Sequence, residues 1–197
     1  ENYSNYINPK LSLRINPSSM KFYGEEKRKI NSDNIFNINR LGLIDTLETG
    51  QNLTLGINYK KEKLNNINKF FEAKLGTVLR SKVNKDIPSS STINKKKSNY
   101  FGKIKNNFND NISLDYEFSV DHNLNHFEYN SFGTTISKNK FITTFNFVEE
   151  NGAIGNKNIL ENTTSFNFDD QNFVTFRTRK NREIDLTEYY DLIYEYK

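Results

Sequence analysis

Residues 112–121 read ISLDYEFSVD. Ile112, Leu114, Tyr116, Phe118 and Val120 alternate with Ser113, Asp115, Glu117, Ser119 and Asp121. A strand points successive side chains to opposite faces, so one face of this segment is wholly apolar and the other wholly polar. A helix would spread the same residues around its circumference. The segment is therefore a strand with one dry face and one wet face. Outward from it the pattern repeats, and strands are expected at about 10–16, 51–61, 69–80, 99–108, 111–121, 126–138, 140–149, 158–168, 171–180 and 187–197. Leu53, Leu55, Ile57 and Tyr59 share a face, as do Phe71, Ala73, Leu75 and Leu79. Tyr190, Leu192, Tyr194 and Tyr196 share another, opposite Asp191, Glu195 and Lys197. Pro9 is expected at the entrance of the first strand, where a missing N–H is tolerated.

The connections alternate in length. Asn109-Asp110, Lys138-Asn139-Lys140 and Asp169-Asp170-Gln171-Asn172 are tight turns built from turn-forming residues, and 62–68 belongs to the same series. Residues 17–50, 81–98, 122–125, 150–157 and 181–186 form the longer series. Short turns at one rim and long loops at the other are the layout of an up-and-down barrel in an outer membrane. A ten-residue strand tilted by about 45° covers roughly 23 Å, close to the apolar band of such a barrel. Two strands carry irregularities. In HFEYNSFGTTISK, Phe127 and Tyr129 fall out of phase with Phe132 and Ile136, and a bulge near Asn130-Ser131 would restore it. Phe173 and Val174 fall on opposite faces.

Composition narrows the classes. Hydrophobic residues make up only 35% of the chain, yet 14% are aromatic, and a wall with one wet face reconciles the two. No run approaches the roughly 18 apolar residues of a membrane helix. The formal net charge of +4 is a mild excess, and the aromatics alternate with acids, which argues against nucleic-acid binding. The absence of cysteine excludes a disulfide framework and a thiolate metal site in this stretch. Residues 1–10, ENYSNYINPK, lack the basic and apolar regions of a signal peptide, so none is expected here.

The stretch NIFNINRLGLIDTLETGQNLTLGINY, residues 34–59, carries Asn34-Ile35-Phe36, then Asn39-Arg40, Gly42 and Asp45, then Glu48 and Gly50, and a strand closing on Gly56 and Tyr59. In these residues the chain resembles the LPS-assembly outer-membrane protein family (LptD, or organic solvent tolerance protein). Thr46 stands where members of that family carry an Arg after the Asp. Residues 86–104 look like the family's loop leading into a strand, and 179–197 are similar to a strand pair near its C-terminus; 105–178 match only as alternating strands. The resemblance implies that residues 1–197 are one segment of a larger barrel. It implies a separate N-terminal periplasmic domain, missing from this stretch, that receives LPS from periplasmic bridge proteins. It also implies a plug lipoprotein, LptE, in the barrel, and lateral opening for LPS.

Other features have plainer readings. His122 and His126 lie across a strand connection, not on a helix face where that spacing would suit a metal. Asp115 and Glu117 are about 7 Å apart along one strand, whereas a glycosidase draws its carboxylates into a shaped cleft. His126 and Ser131 form no short His-x-Ser motif of a membrane lipid hydrolase. Glu25-Glu26-Lys27-Arg28-Lys29 and Lys95-Lys96-Lys97 read as solvated loop faces, with contact to LPS phosphates as the functional alternative. Matches to the glycosylation sequon at Asn52, Asn111 and Asn162 fall in or beside strands.

The reading is an all-β, antiparallel, up-and-down segment of a transmembrane β-barrel, integral to the bacterial outer membrane. No enzyme activity, cofactor or metal is expected, and the resemblance implies that it moves LPS into the outer leaflet. Ser113, Asp115, Glu117, Ser119, Asp191 and Glu195 are expected to face the lumen. Leu114, Tyr116, Phe118, Leu192 and Tyr194 are expected to face lipid. The rivals are a porin-like channel or receptor barrel, and a soluble glycan-binding β-sandwich.

Overall fold

The computed structural model describes residues 2–196. Ten strands follow one another: β1 (Tyr3–Asn16), β2 (Gly50–Lys63), β3 (Asn66–Arg80), β4 (Tyr100–Asn109), β5 (Ile112–Val120), β6 (Phe127–Lys138), β7 (Phe141–Glu150), β8 (Lys157–Asn167), β9 (Asn172–Asn181) and β10 (Leu186–Tyr196). They form one antiparallel sheet in chain order, and β1 does not pair with β10, so the sheet is open. The other regular element among the described residues is a 3₁₀ turn at Ser89–Ser91. Lys197, expected on the polar face, lies outside the described residues.

Connections of two to four residues (64–65, 110–111, 139–140, 168–171) close one end; 17–49, 81–99, 121–126, 151–156 and 182–185 lie at the other, and the last of these is no longer than 168–171, so the alternation in length fades toward β10. The tight turns use local chemistry. Asn139 adopts a left-handed φ of 54°, and the Asp169 carboxylate accepts the N–H groups of Gln171 and Asn172 at 2.9 and 2.8 Å.

Register carries the two faces across the sheet. Lys105, Asp115, Gly133, Asn146, Glu161 and Arg179 pair in one row, and the next row holds Ser113, Thr135, Thr144, Thr163, Arg177 and Asp191. On the opposite face Ile104, Tyr116, Phe132, Phe147 and Leu160 form a row, and Leu114 and Phe118 flank it. Leu192 faces Phe176, and Tyr194 faces Val174. No second sheet covers this apolar face among the described residues, and Leu11, Leu13, Tyr190 and Leu192 stand well exposed on it. The buried core lies instead on the polar face. There the connections 17–49 and 81–99 bring Ile30, Ile35, Leu41, Leu43, Ile87 and Ile93 against Val78 and Phe101.

Three details differ from expectation. β1 begins at Tyr3, so Pro9 sits mid-strand opposite Ile57 and not at the entrance. The bulge in β6 falls at Glu128, not at Asn130-Ser131, because Val120 pairs with Phe127 while Ser119 pairs with Tyr129. The extra residue is anchored there: the buried Glu128 carboxylate accepts a 2.7 Å hydrogen bond from Asn99 Nδ2. Phe127 thereby joins the apolar face, edge-on to Phe118 at 6.0 Å, and Tyr129 turns to the polar one. In β9 it is Val174 that joins the apolar face, with Phe166 and Tyr194, while Phe173 pairs with Asn167 and Glu195.

The Phe118 ring lies across Gly102 in β4, where an added Cβ would sit 2.1 Å from the ring. Gly102→Val is expected to destabilise the barrel by about 1–3 kcal/mol through overpacking. Gly133→Ala meets only the movable Asn146 side chain, at 3.2 Å, and should cost less. Urea unfolding of the full-length protein in detergent measures both; equal losses would contradict this packing.

Candidate functional site

The long connection between β1 and β2 does not stand away from the sheet. It folds down over the polar face, guided by a notch. Gly56 and Gly76 are paired across β2 and β3. The Phe36 ring fills the space where a Cβ on Gly56 would lie, 2.7 Å away, and Ile35 covers Gly76 at 3.2 Å. The Lys10 ammonium stands 5.7 Å from the centre of the Phe36 ring, a cation–π contact on the same side.

Beside the notch, register sets Arg14, Asn52 and Arg80 in one row across β1, β2 and β3. Glu48, just before β2, is lowered onto that row. Its carboxylate takes a two-pronged contact from Arg40, Nε to Oε2 and Nη2 to Oε1, both at 2.7 Å. It also accepts Asn52 Nδ2 at 3.0 Å and a hydrogen bond from Arg80, with Arg14 at 3.8 Å. Arg40 is buried and spends its remaining donors on the Ile35 carbonyl (3.1 Å), Thr54 Oγ1 (2.9 Å) and Asn52 Oδ1 (3.1 Å). Three guanidiniums thus surround one carboxylate. Backbone carbonyls absorb part of the excess: Arg14 donates to those of Phe36, Asn37 and Ile38, and Arg80 to that of Thr49. Gly50 adopts φ of 88° with Arg80 Nη2 3.0 Å from where a Cβ would lie, so only glycine passes here without strain.

A second clamp lies deeper. Lys74 and Lys103 are direct cross-strand partners, an arrangement that repels on its own. Asp33 bridges them, Oδ1 to Lys74 and Oδ2 to Lys103, both at 2.8 Å, and Glu117 adds a contact to Lys103 at 3.4 Å. Partial burial alone would raise the Asp33 pKa, but the hydrogen bonds from Lys103 and Lys74 outweigh it and hold the carboxyl at about 2. Asp45, elsewhere on the same connection, accepts hydrogen bonds from Lys21 and Tyr23, which lower its pKa below the usual carboxylate value.

The resemblance residues therefore divide. Phe36, Arg40, Glu48, Gly50 and Gly56 meet at the latch. Asn34, Asn39 and Gly42 shape the turns that deliver it: Asn34 Oδ1 accepts the Asn31 N–H at 2.9 Å, the Asn39 side chain brackets Leu43, and Gly42 takes φ of 63°. Asp45 is held at the surface. Tyr59 lies on the opposite face, its hydroxyl 2.9 Å from Asn5 Oδ1, and takes no part. Sequence reading missed Arg14, Asp33, Lys74, Gly76, Arg80 and Lys103. The available signal was basic residues at the polar-face positions of β1, β3 and β4.

The six residues expected on the lumen side share one face, but they do not form one site. Ser119 is buried under the connections, accepting Asn99 Nδ2 at 3.0 Å, and Glu117 is half-covered beside a cavity of about 110 Å3 with Lys29, Ser90 and Tyr129. Ser113 and Asp115 lie beyond the covered zone, and Asp115 pairs loosely with Lys105 at 3.4 Å. Asp191 and Glu195 are exposed on β10. Leu114, Tyr116, Phe118, Leu192 and Tyr194 share the opposite face. His122 and His126 belong to a turn organised by the Asp121 carboxylate, which accepts the N–H groups of Asn123, Asn125 and His126. No group of three or more metal-ligating side chains occurs among the described residues. The arrangement is mechanical: it fixes a long segment against a wall.

A family model, LptD: LPS transport system D, matches residues 1–181, leaving 182–197 outside the match. No curated protein matches the chain.

Two outcomes follow from the latch. Glu48→Ala strands Arg40 and Arg80 in a buried place, and breaking such a pair costs about 3–5 kcal/mol. Limited proteolysis of the folded full-length protein should then cut within residues 17–49 while the strands stay intact. Asp33 has a folded pKa of about 2, below its ordinary 3.8. Its contribution is therefore fully present above 3.8 and lost as pH falls toward 2. Protease access to the segment, probed with an acid-active protease, should rise over that window, and Asp33→Asn should abolish the step.

Proposed function

Because the chain belongs to the family of LPS transport system D, a family of LPS transport proteins of the outer membrane, we propose that it forms a wall segment of a larger outer-membrane barrel that delivers LPS to the outer leaflet. The observation that carries this reading is a single up-and-down sheet whose apolar face has no second layer while its polar face is packed by its own loops. On this reading the apolar face, with Leu114, Tyr116, Phe118, Leu192 and Tyr194, meets lipid. The polar face, with Ser113, Asp115, Glu117, Ser119, Asp191 and Glu195, lines the interior.

The mechanism is physical. Sugar and phosphate groups stay among polar side chains, acyl chains leave sideways into lipid, and no bond is made or broken. The latched segment narrows the interior beside β1–β5, which favours a guided passage over the open bore of a porin. A plug lipoprotein (LptE) and periplasmic bridge proteins, the latter through an N-terminal domain, are the partners this function requires. An exposed apolar face disfavours a soluble sandwich, which would bury it.

The test is photocrosslinking in cells, with a photoreactive residue at 115 or at 116 of the full-length protein. LPS adducts at 115 and bulk lipid at 116 are expected; a folded barrel with no LPS adduct at either would send the assignment to a channel or receptor. Tyr116→Lys should also destabilise the barrel by about 2–4 kcal/mol if that position is near the bilayer midplane, and unchanged stability would put Tyr116 outside the apolar band.

A further inference from the structure

The rim that carries the long connections holds a second feature, where β1, β2 and β3 end. An open groove of about 540 Å3 lies there, lined by ten residues that include Ile15, Pro17 and Val83 as its apolar part and Lys82 as a cation. None of the ten is acidic. Ile15 and Val83 are 64% and 55% exposed, although nothing about a loop at a polar rim requires apolar side chains there. Ile15 is the last member of the apolar stripe Ile7, Leu11, Leu13, Ile15 on β1, so the groove sits where that stripe meets the rim.

Further cations gather at the same place, while Arg80, also in the lining, is paired with Glu48. Lys97 pairs with Leu79 in an isolated antiparallel bridge, which sets it on the apolar face two residues from Ser81 in the groove wall. Lys95 and Lys96 precede it in the chain. Among the described residues, Lys82, Lys95, Lys96 and Lys97 have no ion-pair partner. Other cations of the chain are compensated, as Lys21 is by Asp45, Lys29 by Glu150 and Lys180 by Asp185. An apolar floor bounded by uncompensated ammonium groups matches an anionic amphiphile, because lysine stems lie along apolar surface while their heads reach polar groups.

We propose that this groove binds a phosphate-bearing lipid at the rim, with an acyl chain on Ile15, Pro17 and Val83 and headgroup phosphate paired by Lys82 and Lys97. The occupant is a lipid and not free phosphate, because inorganic phosphate has no use for the apolar floor. In the setting of the proposed function this is the phosphorylated lipid anchor of LPS in the outer leaflet, and the inference rests on the apolar face meeting lipid.

The experiment uses the full-length protein in nanodiscs doped with lipid A or with dephosphorylated lipid A, and a photoreactive residue at position 83 or, separately, at Leu13. A lysine beside an anionic lipid surface changes occupancy roughly fivefold. Adducts of lipid A at position 83 should therefore fall by about that factor in Lys82→Gln, again in Lys97→Gln, and on removal of the phosphates. At Leu13, within the apolar stripe, lipid should be labelled whatever its headgroup. Lipid adducts at Leu13 with a yield at position 83 that ignores phosphates and lysines, or with only protein captured at 83, would overturn the rim site and leave the wall standing. Absence of lipid at Leu13 would overturn the face assignment itself, and the rim site with it.

Discussion

One carboxylate decides how the interior of this sheet is filled. Glu48 lies among Arg40, Arg80 and Arg14, and taking such groups out of water costs several kcal/mol per ion unless every donor and acceptor is used. Here nearly all are used: Arg40 spends its donors on Glu48, Thr54, Asn52 and the Ile35 carbonyl. A network satisfied to this degree favours one arrangement and penalises partial ones, since a shifted segment that still covers Arg80 and Asn52 without bringing Glu48 leaves them buried and unpaired. The favourable burial comes from elsewhere, from Ile30, Ile35, Leu41 and Leu43 closing on Val78 and Phe101. The ions set where the segment docks, and the apolar contacts hold it there.

The same rule of satisfied polar groups governs the other face. Thr143, Asn162 and Thr164 lie within the apolar side, beside Ile136, Phe145 and Phe176. They would be costly against hydrocarbon if left alone. They are not alone: Asn162 Nδ2 donates to Thr143 Oγ1 and to the Thr144 carbonyl, both at 3.1 Å, and its oxygen accepts the Thr164 hydroxyl at 3.1 Å. Tyr116 likewise turns its hydroxyl to Asn130, which in turn reaches Glu149 at 3.2 Å. These side chains close on one another.

The strands were legible because their signal is local. Alternation is written between residues i and i+2, and turn chemistry within four residues, so ISLDYEFSVD declares both faces by itself. The latch was not legible, because its partners lie far apart: Asp33 and Lys103 are separated by 70 positions, and Arg80 and Glu48 by 32. Register brings Arg14, Asn52 and Arg80 into one row, and register is a property of the assembled sheet. The family likeness marked Phe36, Arg40, Glu48 and Gly56 without saying that they meet. The misplaced bulge has a similar cause: phase showed that β6 needs an extra residue, but Asn99, from another loop, fixes it at Glu128.

Loop length then explains why the inner wall is unequal. A chain reaches at most about 3.3–3.6 Å per residue, so the connections 121–126, 151–156 and 182–185 cover far less of the sheet than 17–49 and 81–99 do, and of 151–156 it is Ile154 that tucks in beside Ile30 and Glu117. The polar row Thr135, Thr144, Thr163, Arg177 and Asp191 on β6–β10 is consequently left open, with hydroxyls answering one another locally, as Thr135 does Thr144 at 3.1 Å. Arg177 has no ion pair among the described residues, although Asp191 is its cross-strand partner. Under the proposed function, the room for cargo or plug in this part of the barrel is set on that side. The rim-side part of β1–β5 is covered by the chain's own segments, and the hydrogen-bonding groups another molecule can still engage lie on β6–β10 and on the uncovered stretch of β4 and β5 with Lys105, Ser113 and Asp115.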